Sequence, residues 1–227
     1  TLTNAIADQD VDEDSAFSFT IATDTFNDVD VGDTLTYTAT LSDGSALPSW
    51  LSFDASTQTF SGTPLNADVG SITVQVTATD AAGVAISDSF TIAVANTNDA
   101  PTAIALSATA IDENAAGAVV GTLTTTDVDA GDSHTYALSG TDADSFEVVN
   151  GQLKLKDSVS ANYESQNSYS VTVTATDSGG LTTSETFAIT VTDINDAPTL
   201  ANAIADQDVD EDSAFSFVVP SNTFNDE

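Results

Sequence analysis

Oxygen-bearing side chains cluster at a few positions of this sequence, and such clusters are typical of sites for a divalent cation. They lie at residues 8–14, 28–33 and 96–99. Like charges this close repel by about 1 kcal/mol per pair at ~4 Å, even in water. The chain has 2 Lys+Arg against 36 Asp+Glu, so internal ion pairs cannot neutralise the clusters. A bound cation is therefore the expected counter-charge.

Calcium is the cation that fits these residue types best. Ca²⁺ takes oxygen ligands from carboxylates, amide side chains and backbone carbonyls, whereas Mg²⁺ keeps its waters and zinc prefers nitrogen and sulfur. The chain has no cysteine and a single histidine, His134, so zinc is not expected. An EF-hand interpretation of residues 8–19 fails, because the sixth loop residue is Glu13 instead of glycine and the twelfth is Phe19 instead of glutamate.

The overall composition excludes several classes of partner. A formal charge of -34 argues against nucleic acid and anionic membranes, both of which need basic patches. Hydrophobic residues make up 41% of the chain and alternate with polar ones, so globular modules are expected and not an acidic disordered tail. No stretch is long and apolar enough to insert directly into a membrane, and the chain contains no disulfide. A disulfide-free extracellular protein is common in bacteria.

Internal repeats divide the chain. Residues Asn4–Phe19 recur identically as Asn202–Phe217, and the segment 96–101 returns in similar form at 193–198. A period of about 100 residues is the size of an immunoglobulin-like sandwich. We predict modules at 1–99 and 100–197, followed by the incomplete N-terminal fragment of a third module at 198–227. This pattern also indicates an excerpt from a longer chain, whose last segment could enter the first-strand position of another molecule.

Strand signals agree with that size. Apolar residues alternate with polar ones in the segments 71–80 and 168–177, and Phe90, Ile92 and Val94 do so just before residue 96. Turn signals such as Asn150-Gly151 separate the strands. The prediction is all-β: tandem immunoglobulin-like Greek-key β-sandwiches of about seven strands each, arranged end to end, without a long helix.

The second module resembles a cadherin repeat along nearly its whole length. The motifs that carry the resemblance, in the family's order, are Asp112-Glu113-Asn114, Asp127-Val128-Asp129, Asn162-Tyr163-Glu164, Ala175-Thr176-Asp177 and Asp193-Ile194-Asn195-Asp196. In that family such motifs from two successive domains bind Ca²⁺ at the junction between them. Asn96 and Asn162 stand where the family has aspartate, and each removes a negative charge, so the expected affinity or ion number is lower.

The first module is similar to the dystroglycan-type cadherin-like domains of repetitive bacterial surface proteins, through residues 47–54 and 59–64. Alternation of the two domain types resembles the extender regions of giant bacterial adhesins. The resemblance implies a calcium-rigidified stalk at the bacterial cell surface, in which neighbouring repeats of the same chain are the partners.

The resemblance also implies three sets of calcium ligands. The first junction would use Asp12, Glu13, Asp68, Asn96, Asn98, Asp99, Asp127, Asp129 and Asp177. The second would use Glu113, Asn162, Glu164, Asp193, Asn195, Asp196, Asp226 and Glu227. Half a site would use Asp28, Asp30 and Asp80. The register around Asp68 is open, and Asn66 is the other residue that fits this position.

Other interpretations compete with the calcium stalk. A single acidic motif is more often a turn, but five motifs in order favour metal. Trp50 could stack on a sugar, although its alternation with Leu51 favours core packing. A homophilic or carbohydrate-binding module that mediates adhesion directly is the alternative function. An enzyme is not expected, because every carboxylate pair belongs to a cation motif and His134 has no nucleophile-elbow sequence.

Overall fold

The computed structural model describes residues 1–30 and 32–226 and has the predicted all-β fold. Contacts divide the chain into two compact units. The first contains residues 1–99 together with the short segment 128–131, and the second contains the other residues from Ala100 onward. No helix among the described residues is long and apolar enough to cross a membrane.

The first unit is a sandwich of two sheets. Its strands are β1 (Gln9–Asp12), β2 (Phe17–Thr20), β3 (Thr36–Leu41), β4 (Leu51–Asp54), β5 (Thr59–Gly62), β6 (Gly70–Thr79) and β7 (Ala85–Ala95). One sheet has the order β1-β7-β6-β3 and the other β2-β5-β4, and a 3-10 turn at Asn66–Asp68 lies between β5 and β6. Strand β1 pairs in parallel with β7, whereas the other pairs are antiparallel.

The core of the first unit lies between these sheets. The predicted alternation is present in β6, where Val74 and Val76 are fully buried while Thr73 faces outward. Phe60 of β5 is also fully buried and packs against Phe90 at a ring distance of 5.6 Å. Strands with one apolar face therefore close on each other, as period-two patterning requires.

Trp50 belongs to this packing. Its half-buried ring contacts the apolar core and lies 6.2 Å from the ring of Phe17 in an edge-to-face arrangement. Such pairs stabilise a core beyond the area that they bury. The geometry favours the packing interpretation of Trp50 over a sugar platform.

Gly62, at the end of β5, lies directly against Trp50. A Cβ at this position would lie 1.8 Å from the backbone oxygen of Trp50, and that backbone can give way only if the strand end moves. We expect Gly62→Ala to lower the free energy of unfolding of the first unit by about 1–3 kcal/mol, as overpacking does. Urea unfolding followed by the fluorescence of Trp50 measures this. Ser61→Ala, an exposed neighbour, should change the free energy by less than about 0.5 kcal/mol, and equal midpoints for the two variants would contradict the prediction.

The second unit repeats the sandwich. Its strands are β8 (Ala103–Leu106), β9 (Ala110–Asp112), β10 (Val119–Thr126), β11 (Thr135–Ser139), β12 (Phe146–Val149), β13 (Gln152–Leu155), β14 (Ser168–Thr176), β15 (Thr182–Thr192), β16 (Thr199–Leu200) and β17 (Phe224–Asn225). The sheets have the orders β12-β13-β10-β8 and β11-β14-β15-β9, and β16 pairs with β17. A 3-10 turn spans Ala143–Ser145. Leu153, Val171 and Ile189 are fully buried between the two larger sheets.

The predicted turn at Asn150-Gly151 joins β12 to β13. Both residues have positive φ, at 52° and 75°, and two such residues in succession are what a tight type I′ hairpin turn requires.

Candidate metal centres

Acidic side chains converge at four places in the described part of the chain, and each set lies within a single unit. The ligand atoms of each set all lie within 4.8 Å of one another. The sets are Glu13, Asp99 and Asp129; Glu113, Glu164 and Asp193; Asp28, Asp33 and Asp80; and Asp127, Asp132 and His134.

Strand β1 positions Glu13 at the first set. The ladder with β7 continues past Ala95, since the backbone N–H of Glu13 donates to the Ala95 oxygen at 3.0 Å. The Glu13 side chain is 1% exposed, and its Oε1 accepts the backbone N–H of Thr97 at 2.9 Å. Its Oε2 is buried without a hydrogen-bond partner among the described residues. One oxygen is thus left for a ligand.

Asp129 is the second buried carboxylate of this set, with 9% of the residue exposed. Its Oδ1 accepts the amide N–H of Asn96 at 2.9 Å and that of Asn66 at 3.4 Å, and its Oδ2 accepts the backbone N–H of Asp99 at 2.8 Å. Neutral donors therefore hold the Asp129 carboxylate in place without cancelling its charge.

The second set is built from the equivalent residues of the second unit. Glu113 is 1% exposed, and its two oxygens accept the backbone N–H groups of Ile194 and Tyr163, each at 2.8 Å. These hydrogen bonds, first that of Ile194 and then that of Tyr163, hold the pKa of Glu113 below its ordinary value.

Glu164 shows the electrostatic cost of this second set. A hydrogen bond from its own backbone lowers the pKa of Glu164, but desolvation and the charges of Glu113, Asp193 and Asp196 together outweigh that bond, so its pKa is raised. A positive charge at this position would relieve the repulsion.

The third set lies in the first unit and contains Asp33 instead of the predicted Asp30. Asp33 and Asp28 are half-buried, and Asp80 anchors its loop by accepting the Val84 N–H at 2.8 Å. Asp30 is exposed, and its N–H donates to Asp28 at 3.0 Å. A signal for Asp33 was present, because both copies of the Asp-x-Asp-x-Gly-Asp pattern carry the third aspartate.

The fourth set brings the one histidine to a predicted ligand. His134 Nε2 lies 2.9 Å from Asp127 Oδ2, and these side chains are 11% and 4% exposed. Hydrogen bonds, above all from the side chain of Ser178 and then from the Ser133 backbone, lower the pKa of Asp132 in the same loop. The sequence shows His134 close to Asp132 along the chain, but it did not predict the contact of His134 with Asp127.

Other predicted ligands of the first junction have local partners. Asp12 is exposed and pairs with Ala95 in the β1–β7 ladder. Asp68 accepts the Leu65 N–H at 3.0 Å in the 3-10 turn, while its neighbour Asn66 reaches Asp129. The Asn98 amide donates to the Asp99 carbonyl oxygen at 3.2 Å.

The remaining predicted ligands lie in the second unit. Asn162 Oδ1 accepts the Ser165 N–H at 2.7 Å, and Asp177, which is 6% exposed, accepts the Leu181 N–H at 2.8 Å. Asn195 donates to the Asp196 carbonyl oxygen at 2.9 Å, and the Asp196 side chain accepts the Asn114 amide at 3.0 Å. Asp226 is exposed just after β17, and Glu227 lies outside the described residues. Membership of all these residues in a metal site stays a prediction.

Comparison with known proteins shows which family models match parts of this chain. Residues 107–192 match the family model of the cadherin domain, and residues 1–95 match that of a putative Ig domain. The second module is therefore similar to a cadherin domain, and the first to an Ig domain. The finer dystroglycan-type assignment of the first module stays a prediction. No curated protein sequence matches the chain.

Solved cadherin ectodomains share the fold. Extracellular domains 1–4 of PcdhgB3 align with a TM-score of 0.67 and 22% identity, over 86% of this chain and 49% of that one. Domains 22–24 of mouse cadherin-23 align with a TM-score of 0.59 and 21% identity, over 87% and 67%. Domains 3–6 of protocadherin gammaB7, solved as a cis-dimer, give 0.53 and 26%, over 72% and 41%. This chain thus spans about half the length of the PcdhgB3 chain, and less than half of the protocadherin gammaB7 chain.

Proposed function

We propose that this chain is a calcium-rigidified extender segment of a bacterial cell-surface adhesin, with Ca²⁺ bound at the junctions between its domains. The observation that carries the proposal is Glu13, a carboxylate that is 1% exposed and has an oxygen without a hydrogen-bond partner in the described part of the chain. An extracellular location belongs to the proposal, since cadherin ectodomains lie outside the cell.

The burial of the Glu13 carboxylate supports a bound cation. An ionised carboxylate that loses its water must be paired or coordinated, because its desolvation otherwise costs several kcal/mol. The oxygen lies with carboxylate oxygens of Asp99 and Asp129, so the nearest charged groups of the set repel it. The chain's two basic residues, Lys154 and Lys156, both belong to the second unit, where Lys154 pairs with Glu147 and Asp157. A bound cation resolves both the desolvation and the repulsion.

The donor chemistry of the first two sets fits calcium. All their ligand atoms are carboxylate oxygens, and the side-chain amides of Asn96 and Asn66 lie against Asp129 of the first set. Hard oxygen donors in irregular loops suit Ca²⁺, which accepts variable coordination numbers. Glu13, Asp99 and Asp129 would hold one ion, and Glu113, Glu164 and Asp193 another. The ion supplies positive charge, and the chain orients the oxygens.

Chain connectivity turns this binding into stiffness. Asp129 lies in the segment 128–131, whose contacts belong to the first unit, whereas Asp127 and Asp132 on either side belong to the second. Calcium held jointly by Glu13, Asp99 and Asp129 would therefore restrain the covalent connections to the second unit. Without the ion, the three carboxylates repel, and the restraint weakens.

Small-angle scattering of the full chain tests the proposed function. We expect the distribution of overall dimensions of the chain to be narrow in excess calcium and broad in chelator. Asp129→Asn should show the broad distribution under both conditions, because it removes one ligand charge from the first set. Asp24→Asn removes the same charge from an exposed loop outside the sets and should behave like the unaltered chain. Superimposable profiles in calcium and chelator would contradict the proposal.

A further inference from the structure

Strand β3 is an edge strand of the first unit. Its sheet has the order β1-β7-β6-β3, so among the described strands β3 pairs with β6 alone. Native proteins commonly protect such an edge with charged side chains, proline or a bulge. The opposite edge of this sheet follows that rule, because β1 carries Asp10 and Asp12. Residues 34–42, which contain β3, carry no charge and no proline, and the β3–β6 register runs without a bulge. The β3 edge therefore lacks the usual protection against pairing with another strand.

The ladder between β3 and β6 fixes which backbone groups of β3 point outward. In an antiparallel pair, residues bonded to the neighbouring strand alternate with residues whose N–H and C=O point away from it. The N–H of Ser42 donates to the Thr73 oxygen at 2.9 Å and continues the β3–β6 register. Even-numbered residues of β3 therefore bond to β6, and the backbone groups of Tyr37 and Ala39 point to the open edge. Among the described residues, no hydrogen bond engages these four groups.

The other outward-pointing residue of β3 is used by its own turn. The N–H of Leu41 donates to the Ser45 oxygen, and its C=O accepts the Gly44 N–H, each at 2.9 Å. Within β3 the open groups thus belong to Tyr37 and Ala39, two residues apart. This spacing is self-complementary. If two β3 strands lie antiparallel, Tyr37 of each copy faces Ala39 of the other, and all four open groups of each copy are paired.

We propose that β3 of one molecule pairs antiparallel with β3 of a second copy of this chain, about a two-fold axis at Thr38. A two-fold contact uses the same patch on both partners, as the self-complementary spacing requires. The exposed Thr38 then faces Thr38 of the second copy, in a pair without backbone hydrogen bonds between its members, where side chains approach most closely. Threonine pairs directly across two strands add to the stability of a sheet. The contact extends the sheet of one copy into that of the other.

Charge favours this edge as the contact between two copies. Each copy carries a formal charge of -34, so surfaces rich in carboxylates repel one another. The outward-facing residues of β3, β6 and β7 are only Thr, Ser, Ala and Gln, and the edge lies beside this uncharged face. Asp33 and Asp43 flank the uncharged segment and would face each other in the proposed register, so the ladder ends there. Such a small contact gives weak association, with a dissociation constant on the order of 0.1 mM.

A single engineered cysteine tests the pairing, because the chain has no cysteine of its own. Thr38→Cys would set two thiols opposite each other at the two-fold axis, at a Cα separation of about 4.5 Å that a disulfide spans. We expect the full chain with Thr38→Cys to form a covalent dimer under mild oxidation. Thr73→Cys is the control, since it puts an exposed thiol on the same face of the inner strand β6, and it should stay mainly monomeric. Equal dimer yields for the two variants overturn the proposal.

Two substitutions should weaken the association and leave the first unit folded. Thr38→Asp sets like charges directly opposite at the two-fold axis and should lower the association constant at least about tenfold. Ala39→Pro should have a similar effect, because it removes an outward N–H and leaves the β3–β6 hydrogen bonds in place. Thr73→Asp adds the same charge to β6 and should change the constant by less than about threefold at 0.15 M salt, where charges are screened over about 8 Å. Sedimentation equilibrium measures the constants, and the fluorescence of Trp50 reports that each variant is folded.

The same measurements separate the other occupants of the edge. Association that is unchanged in Thr38→Asp and Ala39→Pro uses another surface and overturns the proposal. An unaltered chain that stays monomeric up to about 1 mM overturns it as well. A synthetic peptide of residues 34–42 is then the probe: if the monomeric chain binds this peptide and Ala39→Pro does not, the edge accepts an extended segment of a different protein and not a second copy.

Discussion

Calcium is expected to raise the melting temperature of the first unit by about 10 °C relative to chelator. A ligand at 100 times its dissociation constant stabilises a native state by about 2.7 kcal/mol. For a unit of about 100 residues, 1 kcal/mol shifts the melting temperature by about 4 °C. The stabilisation arises because only the folded chain brings Glu13, Asp99 and Asp129 within 4.8 Å of one another.

The fluorescence of Trp50 measures this shift. Trp50 is the only tryptophan, and it packs against the core of the first unit, so its signal follows that unit alone. Magnesium at the same concentration is the control and should give a smaller shift, since Mg²⁺ sheds its waters reluctantly. The same melting temperature in calcium and in chelator would show that no stabilising ion binds to the first unit.

Glu13→Gln is expected to change stability with opposite sign in the two conditions. Glutamine keeps the shape and can still accept the Thr97 N–H, but it removes a buried charge and places an amide N–H where Oε2 lacked a partner. In chelator the variant should therefore be more stable than the unaltered chain by about 1 kcal/mol. In calcium it should lose most of the stabilisation of about 2.7 kcal/mol that one saturated site provides.

Glu113→Gln is the matched control, and in chelator its expected change in stability has the opposite sign to that of Glu13→Gln. Both oxygens of Glu113 already accept backbone N–H groups, from Ile194 and Tyr163 at 2.8 Å. The amide N–H of glutamine would face one of these donors, so this variant should already be less stable than the unaltered chain by about 1–3 kcal/mol in chelator. In calcium it should also lose stabilisation by the ion of the second set. Thermal melts by circular dichroism measure both variants in both conditions. If calcium raised the melting temperature of Glu13→Gln as much as that of the unaltered chain, Glu13 would not be a ligand of the proposed site.

Much of the fold could be predicted from the sequence, because period-two alternation and turn residues act locally. The buried positions Val74 and Val76 follow from alternation alone, since successive strand residues point to opposite faces. The turn at Asn150-Gly151 follows from residues that tolerate positive φ. Trp50 packs against the core of the first unit, as its place in an alternating run indicated.

The composition of each cation set could be predicted only in part. Asp33 joins Asp28 and Asp80, and Asn66 reaches Asp129 while Asp68 caps its own turn. Neighbouring residues in a loop look equivalent in the sequence, because which carboxylate points inward depends on backbone turns that local spacing does not specify.

The sequence determined the clusters of carboxylates and the near absence of basic residues. It thereby predicted a bound cation, because 36 acidic side chains against 2 basic ones leave little internal counter-charge. Only the tertiary structure decided that Glu13 is buried with an oxygen left over, since that follows from the parallel pairing of β1 with the distant β7.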